Sequence, residues 1–268
     1  MPGQAPKRQA TWSEIEEETR SLLSQAQEAG LTLRAVGSTG IRLHCPEAAA
    51  LMDRCERPPK DIDVIGLSGE RGKLRKLLEA RGYELDRDVL VAMEGARYCC
   101  THLATGIELD VFFDELDFSH KIDLSKRMKA AADTNTIPVE DLLLQKLQVH
   151  ELTDSDNLDA AIVLALHDVT EPAADREEID ASYVASVLGH DWGFHRTATE
   201  NLGKIEQVTA AGTHAGLGSD AVGRVGQRIG VLRAAIDAAP KSMSWKVRGR
   251  VGERIQWWNE VSERELTY

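Results

Sequence analysis

Asp61-Ile62-Asp63-Val64 sets two acidic side chains one residue apart in an otherwise apolar run. In a strand, residues i and i+2 share a face, so both carboxylates project the same way. Carboxylates held that close repel each other, and burying them adds a desolvation cost, unless a positive charge sits between them. A hard divalent cation such as Mg²⁺ fits best, because it takes oxygen ligands and keeps coordination positions open for phosphate oxygens. The stretch therefore predicts a strand that carries a metal site on one face.

Just before it lies the turn Arg57-Pro58-Pro59-Lys60, and further upstream residues 31–36 alternate like a strand and run into Gly37-Ser38-Thr39-Gly40. A glycine at such a strand end lets backbone approach a phosphate, and the Ser38 hydroxyl can donate to it. Helices are predicted over 13–29, with Ser13 as cap, Glu16 at the capping-box position and Gly30 as stop, and over 46–55 and 70–80, the last closed by Gly82. Residues 98–104 and 107–113 read as two strands joined at Thr105-Gly106, a hairpin signal. The second of these carries Asp110 among apolar neighbours, a costly placement without a partner. A metal shared with Asp61 and Asp63 would supply that partner, and so would a structural ion pair with a lysine or arginine.

Beyond Pro138 the pattern changes to apolar residues at three- and four-residue spacing, predicting helices over 139–149, 157–166, 177–188, 192–211, 221–239 and 245–263. The fold class expected is α+β, with an α/β domain containing a short mixed sheet over residues 1–132 and a helical domain over 133–268. The change itself falls somewhere between Ser119 and Pro138.

Gly37-Ser38, Asp61-Ile62-Asp63 and Leu109-Asp110-Val111, taken together, resemble the polymerase-beta-like nucleotidyltransferases, and within them the minimal branch that includes abortive-infection and toxin–antitoxin enzymes. The resemblance extends to basic residues shortly before the acid pair (Arg57, Lys60) and to the helix Asp141-Leu142-Leu143-Leu144-Gln145-Lys146-Leu147. It also takes in Asp156-Asn157-Leu158-Asp159, and it covers about residues 31–168. The spacing from Gly37 to Asp61 is longer than in the minimal members. The resemblance implies a Mg²⁺-dependent transfer of a nucleoside monophosphate from an NTP to a hydroxyl on RNA, protein or a small molecule. Asp61, Asp63 and Asp110 would be catalytic and would hold two Mg²⁺ ions. Gly37 and Ser38 would bind phosphate, with Lys146, Arg57 and Lys60, and less directly Arg127, as cations facing the triphosphate. A tRNA or protein acceptor and a cognate antitoxin are the partners implied. The competing reading is a catalytically inactive nucleotide-binding or protein-interaction domain of the same fold.

Composition narrows the field. The net charge of −12 over 268 residues disfavours nonspecific nucleic-acid binding, although Lys241, Lys246, Arg248, Arg250 and Arg254 form a local basic cluster. With Trp245, Trp257 and Trp258 on the same predicted helix, that cluster reads either as a packed amphipathic helix or as an RNA-facing surface. The longest apolar run, 160–166, is too short for a membrane span, and residues 1–18 lack the apolar stretch of a secretory signal, so a cytoplasmic protein is expected. Cys45, Cys55, Cys99 and Cys100 show no CxxC spacing and read as free thiols, with Cys99 and Cys100 on opposite strand faces. A zinc site from His44, Cys45 and Cys55 fits no usual ligand pattern. Asp141, Asp156 and Asp159 also fit ordinary helix-start positions, Lys146 a solvated helix lysine, and His150, His167, His190 and His195 structural roles.

Overall fold

The computed structural model describes residues 9–130 and 134–260 and has the expected α+β character, with one small mixed sheet and many helices. The sheet comprises β1 (Leu33–Val36), β2 (Ile62–Gly66), β3 (Tyr83–Leu85), β4 (Arg97–His102) and β5 (Glu108–Phe113) in the order β1-β2-β5-β4-β3. The central pair β2 and β5 runs parallel and every other pair antiparallel. The predicted hairpin forms as β4 and β5, turning at Gly106 with φ +74°, a left-handed conformation that glycine adopts without strain. Cys100 on β4 is buried and Cys99 is less so, as alternation along a strand requires, and all four cysteines are free.

Helices α1 (Trp12–Glu28), α3 (Pro46–Arg54) and α4 (Arg71–Ala80) match the predicted segments to within a few residues, and α2 (Gly37–His44), which lies outside the predicted helices, starts directly at the Gly37 turn. The cap of α1 differs. Thr11, not Ser13, closes the capping box, with Glu14, and Glu16 instead pairs with Arg42 at 2.5 Å. Trp12 is the reason: it must face inward, where its indole N–H donates to the Arg57 carbonyl at 2.7 Å, so the helix starts earlier.

Short elements complete this first part: α5 (Arg87–Ala92), the antiparallel pair β6 (Glu115–Asp117) and β7 (Lys121–Asp123), and α6 (Ser125–Ala130). The helical part consists of α7 (Val139–Leu147), α8 (Asp154–Leu166), α9 (Ala181–His190), α10 (Trp192–Ala210), α11 (Ser219–Ala238) and α12 (Met243–Val251). All nine residues of α7 are buried, because α2 packs on one side of it and α8, α9 and α10 on others. Helix α8 is enclosed by α3, α7, α10 and α11. The core is continuous from the sheet to these helices. Residues 134–136 return to the sheet edge, where the Asn135 carbonyl accepts from the Ala35 N–H at 2.8 Å. The boundary expected at 132/133 falls outside the described residues.

Two helix expectations are corrected. Over 177–188 the chain first pairs a short strand, β9 (Ile179–Asp180), with β8 (Val169–Thr170), and only then enters α9, capped by Asp180. The helix expected over 245–263 is α12, which stops where Gly252 adopts φ +62°. Arg248 then folds back onto the carbonyls of Gly252 and Ile255, at 2.6 and 2.7 Å, so Trp257 and Trp258 lie beyond the helix. Trp258 stacks on His150 at 3.7 Å and Trp257 packs edge-on against Trp192. Residues 261–263 of that expectation lie outside the described residues. No helix among the described residues is long and apolar enough to cross a membrane.

Candidate active site

Asp63 lies mid-sheet, opposite Val36 of β1 on one side and Asp110 of β5 on the other. Laterally paired residues project to the same face, and Asp61 joins them two residues before Asp63. One carboxylate oxygen from each of Asp61, Asp63 and Asp110 lies within 4.8 Å of the others. Asp61 and Asp110 are buried, and Asp63 is partly open to a cavity of about 260 Å³. Burial and the neighbouring Asp110 push the Asp61 carboxyl up to about 6, against the opposing pull of Lys60 and Lys146. Burial, Asp61 and Asp110 likewise hold Asp63 well above the usual carboxylate range.

Gly37 brings the backbone to these acids. It follows β1 with φ +63°, and a Cβ there would stand 2.1 Å from Asp63 Oδ2, so only glycine lets the turn approach the carboxylate. Gln145 of α7 clamps the turn: Gly37 N–H donates to its Oε1 at 3.1 Å, and its Nε2 donates to the Gly37 carbonyl at 3.4 Å. Ser38, 5 % exposed, lines the cavity at the start of α2, where the N-cap residue Val36 offers no side-chain hydrogen bond to the N–H groups that follow Gly37. A helix N-terminus in that state favours an anion through its unpaired N–H groups and its dipole. The Thr39 hydroxyl donates to the Asp61 carbonyl at 3.0 Å, tying the helix to the acid-bearing strand.

The basic residues take different places. Lys60 is exposed at the cavity and makes no hydrogen bond or ion pair among the described residues. Arg57 lines the cavity but is committed to Asp159, at 3.0 and 3.2 Å, and to the Pro58 carbonyl at 2.6 Å. Lys146 is buried and not a solvated helix lysine; its Nζ lies 2.9 Å from both Asp156 and Asp159. Asp156 also closes the capping box of α8 with Thr153, so its helix-start role and its ion pair coexist. Arg127 does not line the cavity. It binds Glu140 and Asp141 and stacks over Tyr183 at 3.9 Å. Asp141 is in the first turn of α7 as expected, yet fully buried, held by Arg127 and by the Tyr183 hydroxyl at 2.9 Å.

Arg97 was not anticipated. Its Nη2 donates to Asp110 Oδ2 at 2.7 Å, and the guanidinium lies over Phe112 at 4.8 Å. Asp110 therefore has the structural ion pair that one reading expects, and it also lies beside Asp61 and Asp63. Phe112, Phe118 and Leu116 add an apolar wall, with the two phenyl rings edge to face at 5.3 Å, and Thr153 and Ser155 add hydroxyls. Gln145 adjoins Lys146 in the helix that carries the resemblance, yet nothing in its local sequence marks a side chain aimed at the Gly37 turn.

Three oxygen donors crowded in a desolvated site, with the Asp61 and Asp63 carboxyls raised above their ordinary range, fit a hard divalent cation, whose charge would remove the repulsion. Compared with known families and curated proteins, the chain matches no family model and no curated sequence.

Proposed function

We propose that the protein is a Mg²⁺-dependent nucleotidyltransferase that moves a nucleoside monophosphate from an NTP to an acceptor hydroxyl. The observation that carries this reading is the convergence of Asp61, Asp63 and Asp110 on one sheet face beside the Gly37 turn. Asp61, Asp63 and Asp110 would hold the Mg²⁺ ions, which would neutralise the triphosphate and acidify the attacking hydroxyl.

The chain's own groups support the remaining requirements. Ser38 and the start of α2 supply donors for the terminal phosphates, and Lys60 supplies an exposed positive charge at the cavity. Phe112 and Phe118 offer an apolar surface for a nucleobase. Arg97 holds the Asp110 carboxylate, which accepts the proton of the incoming hydroxyl as oxygen bonds to the α-phosphorus and pyrophosphate leaves. Arg57 and Lys146, bound to Asp159 and Asp156, position the wall opposite the acids. The resemblance supplies a tRNA or protein hydroxyl as acceptor and an antitoxin as a regulatory partner.

A second reading, an inactive nucleotide-binding or protein-interaction domain, draws on the Arg97–Asp110 pair, which balances one acid without any cation. Asp63→Asn separates the two. On the enzymatic reading, transfer of labelled nucleotide to total cellular RNA or protein falls by about 10²–10³ or more, the loss typical of removing one stabiliser of transition-state charge. Transfer unchanged by the substitution would sink it.

A further inference from the structure

Among the described residues, one other cluster could ligate a metal: His44, His167 and Glu177, each offering one atom within 4.8 Å of the others. His44 is the last residue of α2, His167 caps the C-terminus of α8, and Glu177 lies just before β9. The cluster adjoins a separate surface cleft, with His167 and Glu177 in its lining together with Cys45 and Glu47. No residue of this lining is shared with the acidic cavity.

Both imidazoles are oriented as ligands. His167 Nδ1 lies 2.8 Å from the Glu177 carbonyl, an oxygen that can only accept, so the neutral ring carries its proton on Nδ1 and leaves Nε2 bare. His44 Nδ1 lies 2.8 Å from the Thr136 hydroxyl, which can accept in the same way. His44 Nε2 is buried with no hydrogen-bond partner, and the side chain is only 2 % exposed. Facing it, 3.6 Å away, is Oε2 of Glu177, too far for a hydrogen bond. That gap fits a cation between them, since donors in tetrahedral coordination with bonds of about 2.0–2.1 Å stand about 3.4 Å apart. The rings meet edge to face with centroids 5.2 Å apart, so the two bare nitrogens can converge without stacking. The other Glu177 oxygen is held by Arg176 at 3.3 Å, which leaves Oε2 free to ligate.

We propose that His44, His167 and Glu177 bind one Zn²⁺ ion, with water completing the coordination, and that the ion ties the end of α2 to the end of α8 and the segment before β9. Two imidazole nitrogens and one carboxylate form a borderline donor set, which suits Zn²⁺ and disfavours Mg²⁺ or Ca²⁺. The inference stands whether or not the acidic cavity transfers nucleotides. Because α2 starts at the Gly37 turn and ends at His44, the ion would fix the far end of the helix that faces the acids.

The test uses the full chain carrying Asp61→Asn and Asp63→Asn, so that the acidic cluster does not compete. Zn²⁺ binding is measured against a chromogenic chelator at neutral pH, with Mg²⁺ in excess as a control. One equivalent of Zn²⁺ is expected, retained against excess Mg²⁺. Adding Glu177→Gln should weaken binding about tenfold or more, and adding His167→Ala should abolish it. Glu177 is half exposed, so its variant keeps the fold and decides the matter alone if His167→Ala loses helical circular dichroism. Absence of Zn²⁺ binding in the parent variant, or equal affinity after Glu177→Gln, would overturn the proposal.

Discussion

Two clusters of buried charge face the same cavity, and they are built on opposite terms. On the helical side, Arg57 and Lys146 meet Asp156 and Asp159, two cations against two carboxylates, each at hydrogen-bond distance from its partners. On the sheet side, Asp61, Asp63 and Asp110 crowd together, and among the described residues their one ion pair is Asp110 with Arg97. The first cluster is complete and joins β2's approach segment to α7 and α8. The second is a standing electrostatic cost, which the fold tolerates because β1, β2 and β5 and the Gly37 turn hold it in place. A balanced network is architecture, whereas an unbalanced one marks where a ligand's charge belongs. The same substitution chemistry should therefore have opposite signs on the two sides.

The largest effect is expected from breaking the balanced cluster. Asp159→Asn leaves Arg57 without its paired carboxylate and Lys146 with Asp156 alone, and should destabilise the protein by about 3 kcal/mol. Urea denaturation measures this, and a loss under about 1 kcal/mol would show that the network contributes little. Next is Gly37→Ala, which places a side chain at φ +63° and a Cβ 2.1 Å from Asp63 Oδ2. The left-handed backbone costs about 1–2 kcal/mol. The Asp63 carboxylate can swing aside, so a further loss should appear as Mg²⁺ affinity weakened about tenfold, read by calorimetry. Unchanged Mg²⁺ binding would show that the turn does not position the acid.

How much of this was legible in the sequence differs between the clusters. Asp61, Asp63 and Asp110 stood out because carboxylates in apolar strands break the binary pattern, and a broken pattern is visible without knowing the fold. Gly37 was visible because it ends a strand. Arg97 was not, because its partnership with Asp110 depends on the register that sets Cys99 opposite Asp110, and register is a tertiary property. Lys146 reads as a triphosphate cation or a solvated helix lysine and Asp159 as a helix-start residue, and neither reading pairs the two, since nothing local says that α7 and α8 are enclosed on several sides. The overlong reading of 245–263 has a different origin. Apolar spacing continued past Gly252, but Arg248 satisfies the carbonyls beyond α12 and the tryptophans find partners on His150 and Trp192. There, packing overrode periodicity.

The smallest effect tests the unbalanced side directly, through pH. In the metal-free protein Asp61 titrates at about 6 when folded, above the roughly 3.9 of an unfolded chain. A raised carboxyl means that the folded state holds its proton more tightly, so this contribution favours folding below about pH 4. It is lost as pH rises toward 6, and above that the repulsion is fully present. His44 and His120, both depressed to about 4 by burial, act in the opposite direction over nearly the same range, since protonation of the unfolded state removes stability as pH falls. The informative quantity is therefore the stability difference between the wild type and the variant carrying Asp61→Asn and Asp63→Asn, in which the histidines cancel. Without Mg²⁺, the variant should gain on the wild type by about 1–3 kcal/mol between pH 4 and pH 7. The upper end is the full Asp61 shift at about 1.4 kcal/mol per pH unit. Saturating Mg²⁺ should erase that gain for the wild type near pH 7 and have little effect near pH 4, where protons occupy the ligand oxygens. A variant less stable than the wild type at pH 7 without Mg²⁺ would mean that the three acids are as well compensated as the network across the cavity, and the contrast between the two clusters would fall.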